Sequence, residues 1–164
     1  MISKTIFINE RKLAKLITGD SNHIVNLKED IFEYCNGFIL VNCTYDLDLV
    51  IQKLFKAGAI ANYKNWTPQK TSDLTKTTIC EDEIEAIPTS YLKMKGNKLC
   101  NIFKIGDKYI SYKKEFVDIF QNVSYKASSI EEIPTLRAYG DDKFIGLLMP
   151  IRDEHMMLAE IIGN

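Results

Sequence analysis

The order of elements that the sequence predicts belongs to the α+β class: a mainly antiparallel sheet with two to three packed helices, followed by a C-terminal helix. Strand candidates follow one another along the chain with few helices between them. Asn36-Gly37 and Gly106-Asp107 each separate two β-rich runs, which is the pattern of a hairpin turn. The sequence has no alternating run of strands and helices with a glycine-rich turn, which argues against a doubly wound nucleotide-binding sheet.

The first part of the chain predicts two amphipathic helices and a group of strands. Asn9 caps the first helix and Gly19 ends it, with apolar residues at helical spacing between them. The second helix covers residues 46–57 and carries an apolar stripe that begins at Leu47 and ends at Phe55. The strand candidates of this part are residues 4–8, 23–27, 31–35 and 38–43.

Residues 59–76 form an insert that predicts neither a helix nor a strand over most of its length. A connection this long inside a compact domain usually has a function or is mobile. Its two large aromatic residues are Tyr63 and Trp66. They either pack onto the edge of the core, the more common outcome, or form an exposed anchor for a partner protein. Both interpretations stay open at this point.

The second half predicts strands, a short helix and three closing strands. The helix covers residues 112–120 and has Phe116, Val117, Ile119 and Phe120 as its apolar set. Gly140-Asp141-Asp142 supplies the last turn. The strand candidates are residues 74–80, 83–87, 91–95, 99–105, 108–111, 123–127, 136–139 and 143–150.

The tail that follows has the pattern of an amphipathic helix over residues 153–162. Met157, Leu158, Ile161 and Ile162 fall on one side of this helix. Because an exposed apolar side is costly, we expect the tail to dock on the body or on another chain. The sequence therefore predicts a single domain over residues 1–152 and a helical tail over residues 153–164.

Composition excludes several classes of protein. With 164 residues and a formal net charge of -1, the chain is neither a nucleic-acid binder that relies on bulk positive charge nor an acidic mimic of DNA. No window approaches the ~18 uninterrupted apolar residues of a membrane span, and the N-terminus lacks the features of a signal peptide. We expect a cytoplasmic protein. The use of lysine over arginine, with abundant Ile and Asn, indicates an AT-rich genome of a low-GC bacterium or its phage.

No catalytic, cofactor-binding or metal-binding residues are predicted. Structural zinc sites usually take their ligands in two close pairs, but the cysteines form no Cys-x-x-Cys pair and are expected to be buried and reduced. The acidic run Glu81, Asp82, Glu83 and Glu85 is interpreted as a solvated turn, and Asp153-Glu154-His155 as a helix start favoured by the helix dipole. Neither histidine lies beside a recognisable nucleophile signature. The cysteines and histidines are Cys35, Cys43, Cys80, Cys100, His23 and His155.

Six lysines on predicted helices could line one concave face and contact the phosphates of DNA without reading its sequence. The alternative is that they serve only solubility on the wet faces of the helices, and the near-neutral charge of the chain favours that alternative. The six are Lys12 and Lys15 on the first helix, Lys53 and Lys56 on the second, and Lys113 and Lys114 on the third.

Residues 109–152 resemble the closing segment of a module of the bacterial DNA sliding clamp. The resemblance lies in the helix over 112–120, the strand over 123–127 and the final hairpin, which ends in Leu148-Met149-Pro150-Ile151-Arg152. It implies a clamp-like α+β module with a non-enzymatic, protein-docking character. A ring around DNA needs six such modules, and this chain has the length of about one.

The function expected from the sequence is therefore that of a non-enzymatic protein-binding module from a phage or mobile element. It would dock a host or phage protein of replication, repair or defence through its sheet edge, the insert or the tail helix. The candidate partner-binding residues are Tyr63, Trp66, Met157, Leu158 and Ile161. Two alternatives stay open: an inhibitor of a host nuclease or other defence enzyme, and an oligomeric DNA clamp assembled from several copies.

Overall fold

The computed structural model describes residues 7–19, 24–28, 31–44 and 80–151. Several predictions lie outside these residues: most of strand 4–8, the helix over 46–57, the insert over 59–76, strand 74–79 and the tail over 153–164. The predicted site residues that lie outside with them are Lys53, Lys56, Tyr63, Trp66, Met157, Leu158 and Ile161.

The described strands form one antiparallel sheet of nine strands, in the order β1-β2-β3-β9-β8-β7-β4-β5-β6. This confirms the α+β class and the mainly antiparallel sheet. Among the described helices, none is long and apolar enough to cross a membrane. The elements are α1 (Glu10–Gly19), β1 (Ile24–Lys28), β2 (Ile31–Cys35), β3 (Ile39–Thr44), β4 (Glu83–Lys95), β5 (Lys98–Ile105), β6 (Lys108–Lys113), α2 (Lys114–Val117), β7 (Ser124–Ser128), β8 (Leu136–Gly140) and β9 (Lys143–Leu148).

Helix α1 begins where the sequence predicts it. The Oδ1 atom of Asn9 accepts a hydrogen bond from the backbone N–H of Lys12 at 3.1 Å, so one of the unpaired donors of the first turn is satisfied. Leu13, Ala14 and Ile17 are buried, as their spacing requires of a core-facing side.

The β2–β3 hairpin is confirmed, but its turn is centred one residue later than the predicted Asn36-Gly37. Gly37 has φ +89° and takes the first central position, and Phe38 takes the second. The Oδ1 atom of Asn36 accepts hydrogen bonds from the N–H groups of Phe38 at 2.9 Å and Ile39 at 3.0 Å. Asn36 therefore stabilises the turn from the position before it, and Phe38 is left at the tip with 62% of its surface exposed.

Two similar units meet at the middle of the sheet. Helix α1 is followed by the meander β1–β2–β3, and helix α2 is followed by the meander β7–β8–β9. The last strands of the two meanders, β3 and β9, pair antiparallel, so the order 1-2-3-9-8-7 is symmetric about their junction. Gly146 sits at this junction, where an added Cβ would collide with the Leu40 carbonyl oxygen and the Phe120 ring.

The helix predicted over residues 112–120 is wrong in extent, because α2 covers only Lys114–Val117. Tyr112 and Lys113 belong to β6 and pair with Asn101 and Cys100 of β5. The Tyr112 side chain is fully buried, and its hydroxyl donates to the Pro134 carbonyl oxygen at 2.7 Å. These tertiary contacts keep Tyr112 in the strand although the local sequence has the apolar spacing of a helix.

Two further predictions of strand extent are corrected. Residues 83–87 and 91–95 are parts of the single strand β4, which has an irregular register between Pro88 and Leu92. Strand β9 ends at Leu148 instead of Pro150. The segment after it crosses to another strand, since the N–H of Ile151 donates to the Ser111 carbonyl oxygen of β6 at 3.1 Å.

The core lies on the face of the sheet that the helices cover. Phe103 is at its centre, with ring centroids 5.4 Å from Tyr112 and 5.1 Å from Tyr125 in edge-to-face contacts. The segment before α1 closes this core, because Ile8 forms a β-bridge with Phe120. One cluster thus joins both helices to the sheet.

Candidate partner-binding groove

An apolar groove with a volume of about 530 Å³ opens beside the end of β9. This volume falls within the usual range of binding sites, roughly 300–1,000 Å³. Four parts of the chain form it: the β2–β3 turn, the first residue of β5, the junction of β6 and α2, and the segment after β9. Its lining residues are Gly37, Phe38, Lys98, Lys113, Phe116, Met149, Pro150 and Ile151.

Backbone hydrogen bonds hold two of these parts in place. The N–H of Met149 donates to the Phe38 carbonyl oxygen at 2.8 Å, which ties the closing segment to the β2–β3 turn. Two residues later, Ile151 donates to Ser111 and ties the same segment to β6. Pro150, between them, has no N–H to satisfy. The groove is therefore formed by backbone contacts that need no ligand.

The chemistry of the groove is apolar with positive charge at its border. Phe38, which is mostly exposed, lines the groove together with apolar side chains that are partly or largely buried. Lys113 is already engaged: its Nζ lies 2.7 Å from a Glu115 carboxylate oxygen and 4.7 Å from the centroid of the Phe116 ring. Lys98 is exposed and forms no ion pair with any described residue. The site can hold apolar side chains, and it offers one cation to an acidic group.

The structure brings together three of the four described lysines that were predicted to face DNA. Lys12 and Lys114 contact the same carboxylate, with Nζ atoms 3.2 Å and 2.7 Å from Asp118. Lys113 is next to Lys114 but belongs to β6 and not to a helix. Lys15 is exposed on α1. Ion pairs with carboxylates offset part of the positive charge on this face, and the contact with DNA stays a prediction.

The pKa of Asp118 reflects these contacts. Burial alone would raise it, but the hydrogen bonds and charges of Lys114 and Lys12 outweigh that effect and hold it below its usual value. The carboxylate is therefore ionised at neutral pH and joins α1 to the segment after α2.

The acidic run from Glu81 to Glu85 is not simply a solvated turn. Asp82 accepts hydrogen bonds from the Cys80 thiol at 2.8 Å, the Ser128 hydroxyl at 2.6 Å and the Ile130 N–H at 3.2 Å. The bonds from Cys80 and Ser128 hold the pKa of Asp82 well below its usual range. Asp82 thus ties the start of β4 to the end of β7.

Glu83 also has a structural contact that the sequence did not reveal. Its Oε1 atom accepts a hydrogen bond from Nη1 of Arg137 at 3.0 Å and from the hydroxyl of Tyr139 at 2.7 Å. Strand β7 lies between β4 and β8, so this contact crosses one strand of the sheet. Burial and the Glu83 carboxylate raise the pKa of Tyr139 to about 12. The group joins β4 to β8 across β7 and faces no groove that we describe.

The three cysteines whose side chains the structure describes form no disulfide. Cys35 and Cys100 are buried, and Cys80 is partly buried. Burial raises the pKa of Cys35 and keeps its thiol protonated. Within residues 7–19, 24–28, 31–44 and 80–151, no three His, Cys, Asp or Glu side chains form a group that could hold a metal ion.

Sequence reasoning named Lys113 and the closing Met149-Pro150-Ile151 in other connections but did not predict that they meet in a groove. Phe38 is an aromatic residue directly after an Asn-Gly pair, and this position is the one local signal of an exposed ring. Lys98 and Phe116 carry no comparable signal, because the groove joins segments far apart in the sequence. Comparisons with protein families, with curated proteins and with solved structures found no match.

Proposed function

We propose that this chain is a non-enzymatic protein-binding module with a sliding-clamp-like fold, from a phage or mobile element. The groove docks an apolar segment of a host or phage protein of replication, repair or defence. The observation that carries the proposal is the exposed Phe38 ring at a groove that backbone hydrogen bonds have already formed. Exposed aromatic residues at preformed apolar sites are typical anchors of protein interfaces.

The order of elements supports the clamp-like part of the proposal. A short helix, α2, precedes three closing strands, and the chain leaves the last strand through Met149-Pro150-Ile151. The sliding-clamp module that the sequence resembles has the same closing order. An earlier helix and a second three-stranded meander agree with the first half of that module.

The form of the groove favours an extended segment or a short helical turn with a few apolar side chains. Its volume of about 530 Å³ is enough for such side chains but not for a folded domain. The Lys98 ammonium at the border favours an acidic group near the docked side chains. Because the site is preformed, docking costs little ordering of this chain.

Affinity capture with a matched pair of variants tests the proposal. Phe38→Asp places a charge in the groove. Ile130→Asp introduces the same charge at an apolar residue that is 80% exposed and lies outside the groove lining. From lysate of a low-GC host, the wild type and the Ile130 variant should capture the same partner, and the Phe38 variant should lose it. Circular dichroism checks that both variants fold.

The identity of the captured protein decides between the functions left open by the sequence. A nuclease whose activity falls on addition of the wild type, but not of the Phe38 variant, assigns the inhibitor function. A replication protein together with a multimeric mass in solution assigns the oligomeric clamp. Capture that is insensitive to the Phe38 change contradicts the groove as the docking site.

A further inference from the structure

The tip of the β4–β5 hairpin, residues 92–101, has two chemically different faces. Directly opposite residues of an antiparallel pair share a face, and successive residues alternate between faces. The pairs Leu92–Asn101 and Met94–Leu99 therefore lie on one face, and the next pairs lie on the other. The pairs of the second face are Lys93–Cys100 and Lys95–Lys98.

The first face of the tip is an exposed continuation of the core. On β5 the same face continues inward to Phe103 and Ile105, which are buried in the core. At the tip, by contrast, Leu92 is 51% exposed, Met94 56% and Leu99 39%. Apolar side chains that would continue the core are therefore exposed on this face of the tip.

The second face is positively charged. It carries Lys98, which is exposed, and Lys93 and Lys95, which are half-buried beside the buried Cys100. The sequence has no aspartate or glutamate between Glu85 and Asp107. In a chain with a formal net charge of -1, this is a local concentration of positive charge. Such a face favours an acidic partner.

Strand β4 also presents an edge along the same residues. It pairs with β7 only through Glu83, Ile84 and Glu85. Over Ala86–Pro88 and again over Leu92–Lys95 it pairs with β5 on its other side, and no described strand pairs with its outer edge. Backbone N–H and C=O groups on such an edge can bind an added strand.

We propose that the outer edge of β4 at this tip binds an extended segment of a partner protein in which apolar and acidic residues alternate. As an added strand, the segment places its apolar side chains beside Leu92 and Met94. Its carboxylates then lie on the opposite face, beside Lys93 and the neighbouring lysines. This site shares Lys98 with the border of the groove, but its strand edge and its apolar residues lie outside the groove lining. It specifies a partner by the alternation of residue types as well as by charge.

Two other occupants fit this edge less well. A second copy that pairs β4 with β4 across a two-fold axis places the lysine faces of both copies side by side, and like charges in adjacent strands are destabilising. Single-stranded nucleic acid binds to stacked aromatic rings, whereas the exposed side chains here are mainly Leu and Met, with Tyr91 the one aromatic among them.

Peptide binding tests the proposal. The probes are fluorescent peptides of about ten residues, a common strand length. One alternates Glu and Val, a second has the same composition with Glu and Val in two separate blocks, and a third alternates Lys and Val. In fluorescence anisotropy, the alternating Glu peptide should bind at least about tenfold more tightly than the other two.

Matched charge reversals locate the binding site. Lys93→Glu changes the tip, and Lys143→Glu makes the same change at the exposed start of β9. Lys93→Glu should weaken the binding of the alternating Glu peptide by about tenfold or more, and Lys143→Glu by less than about twofold. Amide hydrogen exchange should slow over residues 91–95 when the peptide is bound.

Three results would overturn the proposal. They are equal binding of the alternating and block peptides, equal effects of the two charge reversals, and protection from exchange outside the hairpin tip. The Phe38→Asp variant should bind the alternating peptide as the wild type does. If the peptide experiments contradict the edge proposal while the wild type still captures its partner through the groove, the proposed function is unaffected.

Discussion

Replacement of Arg137 by Met tests whether the contact of Glu83 with Arg137 and Tyr139 holds the sheet together. The Arg137 side chain is 8% exposed and that of Glu83 16% exposed. Removal of one partner of a fully buried ion pair costs about 3–5 kcal/mol, because the other charge is left uncompensated. Here Glu83 keeps its bond to Tyr139 and some solvent contact, so we expect Arg137→Met to lower the free energy of unfolding by about 2–3 kcal/mol.

Urea unfolding at neutral pH measures this effect, with Lys114→Met as the control. Lys114 also forms an ion pair, with Asp118, but its side chain is 34% exposed. Exposed pairs contribute about 0–1 kcal/mol, so the control should lose little. The double variant Glu83→Gln with Arg137→Met should lose less than the sum of the single variants, because no uncompensated charge remains.

The outcome that refutes this reasoning is a loss for Arg137→Met no larger than that for Lys114→Met. The contact would then be effectively solvated, and β4 and β8 would not depend on it. If the double variant lost as much free energy of unfolding as the sum of the two single variants, the energetic coupling of Glu83 and Arg137 would be refuted, even if each single loss were large.

Three further predictions follow from local geometry. Gly146→Ala should lower the free energy of unfolding by about 1–3 kcal/mol or more, since the added Cβ meets the Leu40 carbonyl and the Phe120 ring. Gly19→Ala is the control in the same urea assay and should be tolerated, because the space around Gly19 is open. Because folding raises the pKa of the Tyr139 hydroxyl, the unfolded chain loses the hydroxyl proton at a lower pH than the folded chain does, from about pH 10. The free energy of unfolding should fall as the pH rises from about 10 to about 12, with a shallower fall in Tyr139→Phe. Asp142→Gly should raise the melting temperature, because φ at this turn residue is +62° and glycine adopts it without strain.

Local signals were sufficient to predict α1 and the β2–β3 hairpin. The Asn9 cap acts on the next three residues, and the Asn36 side chain acts on the turn beside it, so the cause of each element lies within a few positions. Helix α2 was predicted too long because its cause is tertiary. The letters from Tyr112 to Phe120 have a helical pattern, but Tyr112 is held in β6 by burial and Phe120 by its bridge to Ile8.

The two candidate binding sites differ in how far the sequence could reveal them. The groove joins Phe38, Lys98, Phe116 and the segment after β9, and no local pattern relates such distant positions. The hairpin tip is different, because Leu92-Lys93-Met94-Lys95 alternates apolar and basic residues in the sequence itself. An alternating strand is normally interpreted as one buried and one wet face. The sequence does not say that the apolar face of this strand is exposed.

The closing residues Met149-Pro150-Ile151 connect the resemblance to a clamp module with the docking proposal. Pro150 donates no hydrogen bond to a neighbouring strand, so the chain leaves the sheet there, between the bonds of Met149 to the β2–β3 turn and Ile151 to β6. The same exit that resembles the end of a clamp module therefore forms one wall of the groove. The fold and the site depend on the same short segment. A Phe38 variant leaves that segment unchanged, so we expect it to remove the proposed docking without altering the fold.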